Sequence, residues 1–99
     1  MKGKVVWRDK VRFEAEAESG HSLTIDGAPE AGGENAGFRP MELMLLGLGG
    51  CMAFDVLMIL RKMRQEISSY TIHLEGIRAD EPPRVYTEVR MNHIFKGRV

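Results

Sequence analysis

The sequence of 99 residues is long enough for one domain with a single, modest core. Its 14 Lys and Arg residues balance its 14 Asp and Glu residues, so the net charge is zero, which disfavours a protein that neutralises nucleic acid phosphates. The single cysteine excludes an internal disulfide, and the amino-terminal residues lack the apolar segment of a signal peptide. We therefore expect a cytoplasmic protein with no nucleic acid partner.

The first third of the chain predicts a three-stranded antiparallel meander. Residues 11–18 alternate between apolar and charged side chains, which is typical of a strand with one buried face. Shorter strand candidates precede and follow this segment, at residues 5–7 and 23–25. A glycine-rich loop over residues 26–37 ends the meander.

A long apolar helix is predicted next. Pro40 suits its first position because proline has a fixed φ and no amide hydrogen to lose. Residues 43–60 are apolar on all sides except at Asp55, which indicates a helix buried in a soluble core. A membrane span is the alternative, and the central aspartate argues against it. Three glycines leave room for another backbone, which we expect to belong to a second subunit: Gly47, Gly49 and Gly50.

The last third predicts a hairpin over residues 70–95, with a connection at residues 80–83 that contains two prolines. Residues 95–99 are interpreted as a turn after the second strand. The fold class is therefore α+β in the order βββ-α-ββ, with an antiparallel sheet packed on a long buried central helix and completed by dimerisation. Residues 1–99 are expected to form a single domain.

Cys51 is the candidate for covalent chemistry, although an inert core thiol is the alternative interpretation. A functional cysteine must be a thiolate, which a nearby positive charge or a helix N-terminus stabilises. Cys51 lies 11 residues beyond Pro40, too far for help from the helix dipole, and Asp55 on the same side disfavours the thiolate. A reactive Cys51 therefore needs an arginine or lysine from elsewhere in the protein.

Other chemistries find little support in the sequence. The three histidines fall in predicted strands without the spacing of metal ligands, and one cysteine is too few for a typical zinc site. No phosphate-binding or dinucleotide-binding glycine pattern is present. We expect neither a metal nor a cofactor.

The segment from Gly37 to Leu43, followed by Leu46-Gly47 and Gly49-Gly50-Cys51, resembles the OsmC/Ohr family of thiol-dependent hydroperoxide reductases. The similarity is closest to the OsmC-like branch and covers about residues 3–95. It implies a cytoplasmic homodimer of the oxidative and osmotic stress response, with its active site at the subunit interface.

The resemblance also implies roles for three residues. Cys51 corresponds to the peroxidatic cysteine, and Arg8 to the arginine that stabilises the thiolate and orients the peroxide. Arg12 and Arg39 are the alternatives for this arginine. The family's glutamate, which holds this arginine, follows the proline directly, whereas here Met41 stands at that position and Glu42 comes one residue later. Nine helical residues place Glu42 and Cys51 on opposite sides of the helix, so Glu42 would serve the cysteine of a second subunit.

The resemblance further implies a second, resolving cysteine on a second helix, which these 99 residues do not contain. We therefore expect either a chain truncated before that helix or a one-cysteine relative, with peroxidase activity impaired unless an external thiol reduces Cys51. The expected substrate is an organic hydroperoxide, which enters a buried site. The alternative function is a non-catalytic dimeric module that binds a small apolar ligand, with Cys51 in the pocket lining.

Overall fold

The structure, a computed structural model, describes residues 1–98. The predicted meander is present as three antiparallel strands in the order β1-β2-β3: β1 (Gly3–Asp9), β2 (Arg12–Ala17) and β3 (Ser22–Ile25). Val5 pairs with Ala15, and Ala15 pairs with Leu23, so the alternation places apolar side chains together on one face. The opposite face carries the charged residues of β1 and β2.

A loop connects this sheet to the helix. It contains a short 3₁₀ helix, Pro29–Ala31, and it closes where Phe38 forms a parallel bridge with Ile25. Helix α1 then runs from Pro40 to Lys62, which confirms the predicted first residue. Arg61 and Lys62 lie in its last turn, where positive charge complements the helix dipole.

The predicted hairpin is also present, with longer strands than expected: β4 (Glu66–Arg78) and β5 (Tyr86–Arg98). The interpretation of residues 95–98 as a turn is wrong, because Phe95 pairs with Tyr70 and Gly97 pairs with Ile67 in the ladder. Gly97 indicates a turn in the sequence, but the strand pairing continues past it because its neighbours in the ladder include aromatic and β-branched residues. Val99 lies outside the described residues.

The α+β order βββ-α-ββ is confirmed, with two antiparallel sheets in place of one. The expectation of a helix buried on all sides is not met within the single chain. Among the described residues of α1, Gly49 alone is buried, and an ideal Cβ built on it would lie 2.5 Å from the Leu74 side chain of β4. A two-stranded sheet can cover one side of a helix, so the opposite side, with Met44 and Phe54, is exposed.

The chain contains two compact units, Met1–Leu43 and Met44–Val99. The first consists of the three-stranded sheet, the loop and the start of α1. The second consists of the rest of α1 and the β4–β5 hairpin. We describe each unit by itself, and a single domain over residues 1–99 stays a prediction.

Candidate functional site

Arg8 occupies an irregular position in the first sheet. Trp7 pairs with Phe13 and Asp9 pairs with Arg12, so Arg8 is the extra residue of a β-bulge and has no partner across the ladder. Bulges commonly occur beside functional sites, where they redirect a side chain. Arg8 lines an open polar cavity, and its guanidinium makes no hydrogen bond or ion pair with any residue among 1–98.

Arg39, one of the alternative arginines, is already held by its own loop. Its Nη1 donates to Asn35 Oδ1 at 2.6 Å and to the Gly37 carbonyl at 3.3 Å. Both acceptors lie within four residues of Arg39, so they fix the guanidinium against the segment that leads into the helix. Arg39 is therefore less available than Arg8 for a thiolate elsewhere.

Arg12, the other alternative, faces the acidic residues of the loop. The Lys10 ammonium binds Glu34 at 2.8 Å, and this hydrogen bond, the Lys10 charge and the Arg12 charge lower the pKa of Glu34. The Nε atom of Arg12 is buried without a hydrogen-bond partner in the described part of the chain. The Arg12 charge lowers the pKa of Asp26 as well as that of Glu34, so Arg12 acts electrostatically on the acidic residues of the loop.

Asp26 organises this loop and was not identified from the sequence. It is 2% exposed, and its carboxylate accepts backbone N–H bonds from Gly27 at 2.7 Å and from Glu34 and Ala36 at 3.1 Å each. Burial alone would raise the pKa of Asp26, but the three N–H donors and the Arg12 charge hold it below its ordinary value. The Asp-Gly pair at the end of a strand indicates a turn, but it does not indicate that the Asp26 carboxylate accepts hydrogen bonds from residues 34 and 36.

Glu42 caps the start of α1. Its Oε1 accepts the backbone N–H of Arg39 at 2.8 Å, so the third helical residue reaches back to the residue before Pro40. This is half of a capping box, in which the side chain satisfies a free donor at the helix start. The predicted catalytic role of Glu42 stays a prediction.

Cys51 lies in the middle of α1 and is exposed in the single chain, not buried as expected. Exposed apolar residues surround it along the helix, among them Leu48, Met52 and Phe54. The buried side of the helix is that of Gly49, which contacts the hairpin. Any enclosed pocket for Cys51 therefore requires a cover over the exposed side of α1.

The predicted site residues are divided between the two units. Arg8 and Glu42 belong to Met1–Leu43, and Cys51 belongs to Met44–Val99. A site that combines all three stays a prediction. No cluster of His, Cys, Asp and Glu within residues 1–98 has the arrangement of a metal site.

An aromatic cluster on the β4–β5 hairpin was also missed. The Tyr70 ring stacks on Phe95 at a centroid distance of 4.3 Å, and the Tyr70 hydroxyl lies 2.6 Å from His93 Nδ1. Burial raises the pKa of Tyr70, so it stays neutral over the physiological range. The alternation within residues 70–95 indicates which side chains share a face. The contact between Tyr70 and His93 depends on the strand register, which the sequence does not determine.

Helix α1 meets the length and composition criteria of a membrane span. The same criteria are met by core helices of soluble proteins, so this observation is weak evidence. Asp55, near the helix centre, remains the argument against a span.

Comparisons with known proteins find a family model and a curated relative that match this chain. A model of the family described as OsmC-like protein matches residues 32–98, which include Glu42 and Cys51 but not Arg8. The protein YhfA of Escherichia coli strain K12 is 37% identical over 101 residues, which cover 99% of this chain and 70% of YhfA.

Several solved structures share the fold, and two of them are from Psychrobacter arcticus and Aquifex aeolicus. A protein from Psychrobacter arcticus, whose name refers to osmotic stress and a detoxification response, superposes with a TM-score of 0.87 at 23% identity over 100% of this chain and 72% of that one. A hypothetical protein from Aquifex aeolicus superposes with a TM-score of 0.80 at 30% identity, over 95% of this chain and 64% of that one. The first comparison, at its low identity, concerns the fold alone.

Proposed function

Because the chain belongs to the OsmC-like protein family, a stress-response family, we propose that it reduces organic hydroperoxides through Cys51. The Cys51 thiolate attacks the terminal peroxide oxygen, so an S–O bond forms while the O–O bond breaks. The leaving alkoxide takes a proton and departs as the alcohol. Cys51 becomes a sulfenic acid, and the peroxide has gained the two electrons that the sulfur lost.

Arg8 is the activating cation in this proposal, and its unpaired guanidinium is the observation that carries it. A positive charge beside a thiol favours the thiolate, and a guanidinium also offers hydrogen bonds to a peroxide. Arg39 is bound to Asn35 and Gly37, and the Nε atom of Arg12 is buried, whereas Arg8 lines an open polar cavity with its guanidinium unpaired among residues 1–98.

The surroundings of Cys51 favour an organic peroxide over hydrogen peroxide as substrate. The exposed side chains along the middle of α1 are apolar, apart from Asp55. An apolar alkyl group gains free energy on leaving water for such a surface, at about 25 cal/mol per Å² buried. Hydrogen peroxide has no alkyl group and gains nothing from this contact.

We also propose that the working unit is a homodimer whose interface includes the exposed side of α1. A second subunit would cover the apolar surface around Cys51 and supply the enclosed pocket that the single chain lacks. An active site at this interface also allows Arg8 or Glu42 of one subunit to serve Cys51 of the other.

Turnover requires an external thiol, because Cys51 is the sole thiol of these 99 residues. The sulfenic acid returns to the thiol when two thiol equivalents are oxidised to a disulfide and water is released. Without that reductant the reaction stops after one equivalent of peroxide, and excess peroxide converts the sulfenic acid to sulfinic acid.

The proposal predicts stoichiometric oxidation of Cys51 by cumene hydroperoxide. Mass spectrometry should find one added oxygen at one equivalent of peroxide and two in excess. Arg8→Ala should slow this step about tenfold or more, because an unassisted thiol is largely protonated at neutral pH. Arg61→Ala, at the end of α1, is the matched control and should react like the unmodified protein.

Three outcomes would contradict the proposal. An unmodified Cys51 in excess peroxide would favour the alternative, a module that binds a small apolar ligand. Equal rates for Arg8→Ala and Arg61→Ala would remove Arg8 as the activating cation. Multiple turnovers without added thiol would show that the single-thiol mechanism is wrong.

A further inference from the structure

Arg8 shares a cavity with the carboxylate of Glu14, a residue to which the family resemblance assigns no role. Val6 pairs directly with Glu14 across β1 and β2, and Arg8 follows two residues farther along β1, at the bulge. The bulge interrupts the regular ladder at Arg8, so the cavity that the two residues share, and not the strand register, places them together. Val6, Arg8 and Glu14 all line the same open polar cavity.

The Glu14 carboxylate is held in place from the other side. The Thr24 hydroxyl of β3 contacts both carboxylate oxygens, at 3.0 and 3.2 Å. Among residues 1–98 no cation lies within ion-pair distance of Glu14. Glu14 is therefore an oriented, partly buried carboxylate with no positive partner, and it lines the same cavity as Arg8, which has no negative partner among residues 1–98.

Two other carboxylates of the same unit, Glu16 and Glu42, are already engaged. Glu16, which lines the same cavity, forms an ion pair with Lys4 at 3.4 Å. Glu42 uses an oxygen to cap α1 through the Arg39 N–H. Glu14 is the acidic residue of this cavity that lacks a charged partner.

We propose that Glu14, held by Thr24, is the carboxylate that positions the Arg8 guanidinium for Cys51 chemistry. This inference rests on the proposed function and assigns Glu14 as a positioning residue that acts through Arg8. A carboxylate and a guanidinium can form two parallel N–H···O bonds, which fix the plane of the guanidinium as well as its location. The remaining N–H groups of Arg8 then point in a defined direction, toward a thiolate or a peroxide.

The test compares rates of Cys51 oxidation by cumene hydroperoxide in four variants. Glu14→Gln keeps the size of the side chain and its bond to Thr24 but removes the charge, and it should slow oxidation about tenfold. Glu16→Gln, the matched control in the same cavity, should react at the unmodified rate. When Arg8 is already alanine, adding Glu14→Gln should change the rate less than about twofold, since a residue that acts through Arg8 has nothing left to position.

The pH profile of Cys51 alkylation gives a second readout that a purely structural role would not move. A carboxylate that acted only by its own charge would disfavour the thiolate, so its removal would shift the profile to lower pH. Loss of Arg8 positioning shifts the profile to higher pH, and we expect this direction for Glu14→Gln. We expect the alkylation profile of Thr24→Val to shift to higher pH as well, because this variant removes the hydroxyl that holds the Glu14 carboxylate.

The outcomes separate this inference from the proposed function. If Arg8→Ala slows oxidation while Glu14→Gln reacts like the unmodified protein, the Glu14 inference is wrong and the function of Arg8 stands. Additive effects of Glu14→Gln and Arg8→Ala would likewise overturn it. If unmodified Cys51 is not oxidised at all, the proposed function itself fails.

Discussion

At the scale of single residues, Asp26 gives the sharpest prediction about stability. Its pKa is lower in the folded protein than the value of about 3.9 expected in the unfolded chain. The folded state therefore gains stability from the Asp26 charge above that unfolded value and loses it as the pH falls toward the lower folded pKa. Acidification should lower the urea midpoint of the unmodified protein over this interval.

Asp26→Asn tests this assignment. The asparagine amide places a donor against the N–H groups of Glu34 or Ala36, so the urea midpoint at neutral pH should fall. Because the titrating carboxylate is gone, the midpoint should also depend less on pH below about pH 5. Asp80→Asn, in the exposed hairpin loop, is the control and should leave both properties unchanged. An unaltered pH dependence in Asp26→Asn would contradict the role assigned here.

The residues of the predicted site differ in how far the sequence alone could identify them. Cys51 could be singled out because its motif is local and its chemistry follows from the residue type. Arg8 could be proposed by resemblance, but its bulge and unpaired guanidinium depend on the strand register. Glu14 and Asp26 could not be assigned, because their partners lie 8 to 10 residues away and meet them only in the folded sheet and loop.

At the scale of secondary structure elements, the start of α1 supports a prediction on Glu42. The Glu42 carboxylate accepts the Arg39 N–H, so Glu42→Ala should lower the free energy of unfolding by about 0.3–1.5 kcal/mol, the usual contribution of a helix cap. Glu42→Gln retains an acceptor oxygen and should be less destabilising. Urea unfolding of both variants measures the difference.

The same pair of variants separates capping from catalysis. A Glu42 that acts only as a cap leaves the rate of Cys51 oxidation unchanged in Glu42→Gln. A large loss of rate in this stable variant would instead support the catalytic role that the family resemblance implies for Glu42.

Elements were predicted well where local patterns determine them. Strict alternation located β2 and the centres of β4 and β5, and Pro40 marked the start of α1. The outer ends of β4 and β5 were missed, because pairs such as Ile67 with Gly97 extend the ladder beyond the alternating segments. Burial of α1 could not be predicted from its composition, since an apolar helix is covered only where another element reaches it.

At the scale of the whole molecule, the main feature is apolar surface that the single chain leaves uncovered. No apolar side chain among the residues with described burial is fully buried, and Trp7 and Phe54 are 64% and 68% exposed. Within the second unit, exposed apolar side chains such as Phe54 follow α1, and apolar surface along one element marks an interface with protein, membrane or ligand. The amino-acid composition cannot tell which of these three partners covers the surface, because each of them favours the same apolar side chains.

We expect the cover to be a second copy of the chain, packed on the exposed side of α1. Gly47, Gly50 and Phe54 recur at intervals of three and four residues and so share this side, and an ideal Cβ on either glycine meets nothing within 4 Å. Sedimentation in the absence of detergent should therefore show a dimer at micromolar concentration. Gly50→Leu should weaken the dimer by at least about tenfold in Kd, because its side chain fills the space that a second backbone would occupy. Glu81→Leu adds the same side chain in the hairpin loop and should leave the dimer intact, whereas a folded, monodisperse monomer of the unmodified protein would contradict the expectation.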